Sequence, residues 1–385
     1  MTDHSLHTDA AKSPQIAIIG AGLTGLFTAT LLERAFRQAS DRALVPQITV
    51  FEKSAGVGRL ATRYRSDSAT KQNWQWAFGA QFFTAKTSSF QQFIAPWLES
   101  KLIQPWCAQV VDLNPASVSG QSLDIQQKEQ WDTAQARYIS TPKMTSWGRA
   151  LADELAHTTI NFKTRIAPLA QYPQSQSDHK TELFDEKGDS LGHFDWVICT
   201  APNAQALELM ADSGFTEQAK ITEPQMQACY TLMLGWDNVQ PLPEALNHQK
   251  KPTWDVAYVN DSIIDRIFIE HHKPAHDELL PSVTIHASND WSEQYVDEDI
   301  ETVKAQLLQA AKQALDWNEN SAPSQVDCHR WRYAATLTET NKEALGILMD
   351  QKQQWIVSGD WCGQGNIESC YQMAQQTVEA VCQTT

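Results

Sequence analysis

The sequence has no Cys-x-x-Cys pair; its seven cysteines are an odd number, and the closest two, Cys362 and Cys370, stand eight apart. A zinc ribbon, a thioredoxin-type site and a disulfide framework are therefore not written here, and reduced thiols in a cytoplasmic compartment are expected. No long apolar run is present either. The stretch Ile16–Leu32 is broken by three glycines and three threonines and falls short of the ~20 residues that span a bilayer. The opening segment Met1–Pro14, with Lys12 beside Asp3 and Asp9, lacks the pattern of a secretory signal and reads as a flexible tail over 1–13. Positive charge is scarce: 30 Lys and Arg against 46 Asp and Glu leave a net −16. Such a field repels nucleic acid and anionic lipid, so neither is expected as a partner. No Gly-x-Ser-x-Gly is found, which removes the hydrolase nucleophile elbow.

What is present suffices for a large folded core. The chain has 385 residues, 42% of them hydrophobic, and at ~150 residues per domain this suggests two to three structural units. A β-branched run, Gln15–Ile19, ends at Gly20, and apolar residues then recur at helical spacing (Leu23, Leu26, Phe27, Leu31). A polar insertion, Arg37–Pro46, precedes a second strand, Ile48–Phe51. Strand, turn, helix, strand is a βαβ opening.

The turn reads Gly20-Ala21-Gly22-Leu23-Thr24-Gly25. Gly20 allows the tight turn, Gly22 lets backbone approach a pyrophosphate, and Gly25 lets the helix pack close to the strand. The helix start, at Leu23 and Thr24, then aims its amides at the phosphates. Glu52, at the end of the second strand, is placed to accept the ribose hydroxyls of an adenosine, with Lys53 beside it. An adenine dinucleotide is expected here. A second glycine-rich loop, Ser54–Arg63, contains Gly58 and Arg59. A nicotinamide dehydrogenase has no need of it, whereas a flavin dinucleotide runs on past the first motif, where Arg59 supplies charge. Asp360, after the strand Trp355–Ser358 and Gly359, is placed for a ribityl hydroxyl. The final helix, starting near Ile367, directs its dipole at the flavin pyrimidine.

Four segments together resemble the amine-oxidase-type flavoprotein superfamily, and most closely the bacterial renalase-like family: the two glycine loops, Phe78–Thr84, and the terminal Gly359-Asp360-Trp361-Cys362. The likeness continues through the Met144–Leu155 helix, the strand Phe194–Ile198, His286–Ser292 and His329–Ala334. It departs where the family usually has Gly-Gly-Arg, here Val57-Gly58-Arg59, and where Ala77 replaces an acidic residue. The resemblance implies an α/β fold of the amine-oxidase or p-hydroxybenzoate-hydroxylase type: a Rossmann-like FAD-binding domain with a second, mixed β-sheet substrate domain. The boundaries are 14–85, 140–212 and 325–385 for the first, and 86–139 with 213–324 for the second. Further cofactor contacts are then expected at Gly79, Ala80, Gln81, Phe82 and Ile166. FAD is expected to be non-covalent, because Cys370 falls inside the last motif and reads as a core thiol.

The implied reaction oxidises dihydronicotinamide isomers of NAD(P)H by hydride transfer to flavin N5, with O2 as acceptor and hydrogen peroxide as product. Such chemistry requires no acid or base from the protein, so no catalytic residue is assigned. Trp331 and Trp361 are expected at the substrate end. Of Arg330 and Arg332, one is expected to face the site, and Arg332 is the candidate for holding substrate phosphates. An amine oxidase, another flavin oxidase or desaturase, and a non-catalytic flavin redox sensor are the alternatives. His271, His272 and His276 surround Lys273-Pro274 and read as a solvent loop, not a metal site.

Overall fold

The computed structural model describes residues 13–38, 45–56, 58–114, 124–174, 180–237, 241–246, 253–337 and 343–384. The tail expected over 1–13 lies outside these residues but for its last, as does the middle of the Arg37–Pro46 insertion.

Two large sheets, with three small ones beside them, organise the described residues. The first has six strands in the order Thr158–Phe162, Gln47–Glu52, Gln15–Ile19, Trp196–Cys199, Trp355–Val357, Leu348–Asp350. All neighbours are parallel except the last pair. Residues of the first strand alternate between two cores. Ile16 and Ile18 pack with Val378 and Val381 of the final helix, Ile367–Thr384, while Ala17 joins Phe51, Leu209 and Trp361 on the opposite face. Burial on both faces explains why these strands read as continuous apolar runs.

The second sheet has seven strands: Gln325–Thr336, Met226–Gly235, Ser282–Ala287, Ile264–Ile269, Val256–Val259, Gln109–Asn114, Asp124–Gln130. One face is covered by the helix Ile300–Leu315, whose Val303, Leu307 and Ala311 meet Leu232, Leu234 and Ile285. Asp299 caps that helix by accepting the N–H groups of Glu301 and Thr302. The other face looks toward the first domain. An aromatic cluster (Phe27, Phe90, Phe93, Trp147, Tyr371) ties the helices Leu23–Gln38, Ser88–Glu99 and Ile367–Thr384 together.

The expected fold class holds, with two corrections to its layout. The strand Gln325–Thr336 pairs along Met226–Gly235, so the segment opening at 325 begins in the second sheet and enters the first only after this strand. The histidine segment is not a solvent loop: Glu270, Lys273 and His276 are all buried. Lys273 is held inside by an ion pair with Glu270 at 2.9 Å, which a sequence full of polar residues does not advertise. Among the described residues no helix is long and apolar enough to cross a membrane, and no group of three or more His, Cys, Asp or Glu is placed to hold a metal.

Candidate functional site

One cavity of about 930 Å³ runs from the glycine turn of the first domain to the face of the second sheet that looks toward that domain. At its first end the three motif glycines have separate jobs. A Cβ on Gly25 would lie 2.0 Å from the carbonyl oxygen of Gly20, so this residue seals helix against strand and does not reach the cavity. Gly22 has nothing within 4 Å of where its Cβ would be; the space it leaves belongs to the cavity. Gly20, Leu23 and Thr24 line the same end. The first turn of the following helix contains no acidic residue that would compete for a phosphate.

Glu52 is buried at this end, its Oε2 accepting Ala21 N–H at 2.9 Å and its Oε1 accepting Ser54 N–H at 2.8 Å. Both glycine loops are thus pinned to one carboxylate, whose remaining lone pairs can take ribose hydroxyls. Lys53 lines the cavity, with Nζ donating to Gln205 Oε1 at 2.8 Å. Burial, with the nearby charge of Arg165, lowers its pKa. Ile166 is also in the wall. Gly58, at φ 69°, packs over Gly22, which brings the second loop directly against the first. A clear consequence concerns Glu52→Ala. Losing a charge-assisted acceptor worth ~1.5–3 kcal/mol should lower dinucleotide affinity by about one to two orders of magnitude, measured as retained chromophore on dilution. Unchanged retention would place the ribose elsewhere.

Arg59 lines the middle of the cavity, donating to Asp360 Oδ1 at 2.5 Å and to Ala334 O at 3.0 Å. Its charge is shared with Asp360 and not free for a pyrophosphate, and the pair bolts the second loop to the turn after the last parallel strand. Gly79, Ala80, Phe82, Ile367 and Cys370 also line the cavity. Burial pushes the Cys370 thiol up to about 12, so it stays a thiol.

Three expected contacts lie elsewhere. The Gln81 side chain turns away from the cavity into a buried polar network around Lys273. Gly359 sits under the Trp361 indole, and Trp361 itself donates to Ala201 O in the core of the first domain. The short turn Asp360–Cys362 presents its first residue to the cavity and its second to that core.

The far end is built by four strands in register. Thr231 pairs with His329 on one side and His286 on the other, and His286 pairs with Arg266. These four side chains form one row across the sheet, all lining the cavity. Burial pushes His286 down to about 3, helped by Arg266 and Lys273, and pushes His329 down to about 4, helped by Arg63. Both rings are neutral at pH 7. Trp331 lies in the adjoining row, stacked on Phe78 with centroids 5.5 Å apart and donating to Phe78 O at 2.8 Å. Arg332 is at the rim, paired with Asp297 at 2.7 Å. Arg330 points the same way, donating to the carbonyls of Val296 and Glu298. Residues two apart in a strand share a face, so the expected division of labour between them does not occur. Thr231, His286 and Arg266 went unassigned in the sequence; the faint signal was a polar residue at alternate positions in otherwise apolar strands.

A family model described as an NAD(P)-binding Rossmann-like domain matches residues 18–96. Among solved structures, a provisionally assigned protoporphyrinogen oxidase from Exiguobacterium sp. 255-15 aligns over 96% of this chain and 98% of its own, at 14% identity and TM-score 0.69. Putrescine oxidase with bound putrescine aligns over 97% and 100%, at 10% identity and TM-score 0.66. Cyclohexylamine oxidase from Brevibacterium oxydans IH-35A aligns over 96% and 99%, at 12% identity and TM-score 0.65. At such identities the likeness establishes a shared two-domain fold.

Proposed function

We propose that the chain is an FAD-dependent oxidase whose substrate is a dihydronicotinamide dinucleotide, an isomer of NAD(P)H that it returns to NAD(P)+. The residues fit the cofactor: a glycine turn open at Gly22, a buried carboxylate at Glu52, and a cavity continuing past Arg59 and Asp360 to a separate sheet. Bound FAD supplies a two-electron acceptor for the substrate hydride, with O2 as terminal acceptor giving hydrogen peroxide. The protein binds, orients and excludes water.

One observation favours this substrate over an amine. Among the described residues, the second sheet contributes Arg266, Arg330 and Arg332 to the cavity lining and no carboxylate; Arg266 and Arg332 are paired just outside it with Asp265 and Asp297, and Arg330 donates to backbone carbonyls. The carboxylates in the lining, Glu52, Glu208 and Asp360, all come from the first domain. An ammonium held ~5 Å from an arginine at an effective dielectric near 20 is repelled by about 3 kcal/mol. An arginine without a carboxylate partner, as Arg330 is among the described residues, attracts phosphates and carbonyl oxygens instead. The amine-oxidase reading draws support from the solved structures of similar fold, which include putrescine oxidase and cyclohexylamine oxidase.

The pH dependence separates the readings. His286 and His329 keep their depressed pKa values of about 3 and about 4, so neither changes charge between about pH 5 and 8. Flavin reduction by a dihydronicotinamide isomer should then be nearly flat over that range in stopped-flow traces. A bell-shaped profile would point to proton removal from an amine. Stability behaves differently. His276, His286 and His329 all have lowered folded pKa values, so unfolding takes up protons and stability falls as pH drops below the unfolded value of about 6.5.

A further inference from the structure

Behind the cavity wall lies a charged group that hydride transfer does not use. Lys273 is nearly sealed from solvent, its side chain 2% exposed, with Nζ donating to Glu270 Oε2 at 2.9 Å and to Gln81 Oε1 at 2.8 Å. An ammonium only donates, so the Gln81 atom facing it is the carbonyl oxygen. The Gln81 NH2 must then point the other way, where it meets Ala77 O, His286 Nε2 at 3.3 Å and, slightly farther, Gly79 O at 3.4 Å. Ala77 O is an acceptor only, which fixes the same orientation independently. A ring nitrogen facing an NH2 group accepts. His286 Nδ1 has no hydrogen-bond partner among the described residues.

We propose that Lys273 is a positioning residue: through the amide of Gln81 it holds His286 in the cavity wall with Nε2 unprotonated and the proton on Nδ1. The charge of a buried ammonium is thereby converted into a fixed polarity at the substrate end. Nδ1–H is left as the ring's donor for a substrate, beside the Arg266 guanidinium across the strand, and a carboxamide oxygen is the matching acceptor. The groups around the ring are Gln81, Arg266, Thr231 and the edge-on Phe268 ring, with Lys273 and Glu270 one layer behind. The carboxamide match rests on the substrate reading above; the tautomer is a property of the chain itself.

The test is nitrogen NMR of the flavin-bound protein labelled with ¹⁵N-histidine, His286 being assigned by its loss in His286→Gln. Wild type should show a pyridine-like Nε2 and a pyrrole-like Nδ1. Gln81→Glu keeps an acceptor for Lys273 and so preserves the buried pair, but its carboxylate cannot donate to His286. The proton should move to Nε2, and flavin reduction, flat with pH in wild type, should become pH-dependent. Gln81→Leu should leave a tautomer mixture and lower kcat/KM by roughly tenfold, the size of one ordinary hydrogen bond. A pyrrole-like Nε2 in wild type, or one nitrogen pattern in all three proteins, would overturn the proposal. If the tautomer switches as expected while no dihydronicotinamide reduces the flavin, the relay stands and the substrate assignment falls.

Discussion

Gly22→Ala is expected to leave the fold intact and remove the cofactor. Its Cβ would meet nothing within 4 Å, and its backbone is not in the left-handed region, so the chain has no reason to resist it. The methyl would stand in the space where a pyrophosphate must approach the helix start. Displacing that group forfeits charge-assisted hydrogen bonds worth ~1.5–3 kcal/mol each. Loss of two lowers affinity by a factor of about a hundred or more. The matched control is Gly25→Ala, whose Cβ would lie 2.0 Å from Gly20 O and 3.0 Å from Thr200 Oγ1. That variant should lose thermal stability as well as flavin. Equal effects of the two substitutions on stability would mean that the turn is not built as described.

Lys273→Met should be among the most damaging single substitutions away from the cofactor. It strands Glu270, whose side chain is 0% exposed. Removing one partner of a buried pair typically costs ~3–5 kcal/mol. Thr284 Oγ1, at 2.5 Å, and Ala77 N–H, at 3.2 Å, still bond the carboxylate, which places the loss toward the lower end of that range. Adding Glu270→Gln should recover much of the loss, since no buried charge then remains. Urea unfolding of the two variants checks both statements, and a loss below about 1 kcal/mol in the single variant would show that the pair is hydrated.

The parts of this architecture written in local sequence were readable, and the parts made by distant pairing were not. The glycine turn, its flanking strands and the Ile367–Thr384 helix each follow from residues a few positions apart. The cavity's far wall does not. It exists because Met226–Gly235 pairs with both Ser282–Ala287 and Gln325–Thr336, and nothing near Thr231 announces that His286 and His329 will flank it. A slip of one residue would turn that row to the opposite face. The histidine segment misled for a related reason. Charged side chains signal exposure unless a partner is supplied from elsewhere, and here Gln81 and Thr284 come from distant strands and loops. Trp361 shows the limit of motif proximity: it adjoins Asp360 in sequence and faces a different core.

The most direct measurement of the central claim is an anaerobic titration of the purified yellow protein, followed in its visible spectrum, with dihydronicotinamide isomers of NAD(P)H and with a simple amine such as putrescine. The account predicts stoichiometric bleaching by at least one isomer with NAD(P)+ as product, recovery of the spectrum on admitting air with hydrogen peroxide formed, and no response to the amine. Bleaching by the amine with every isomer inert would contradict it.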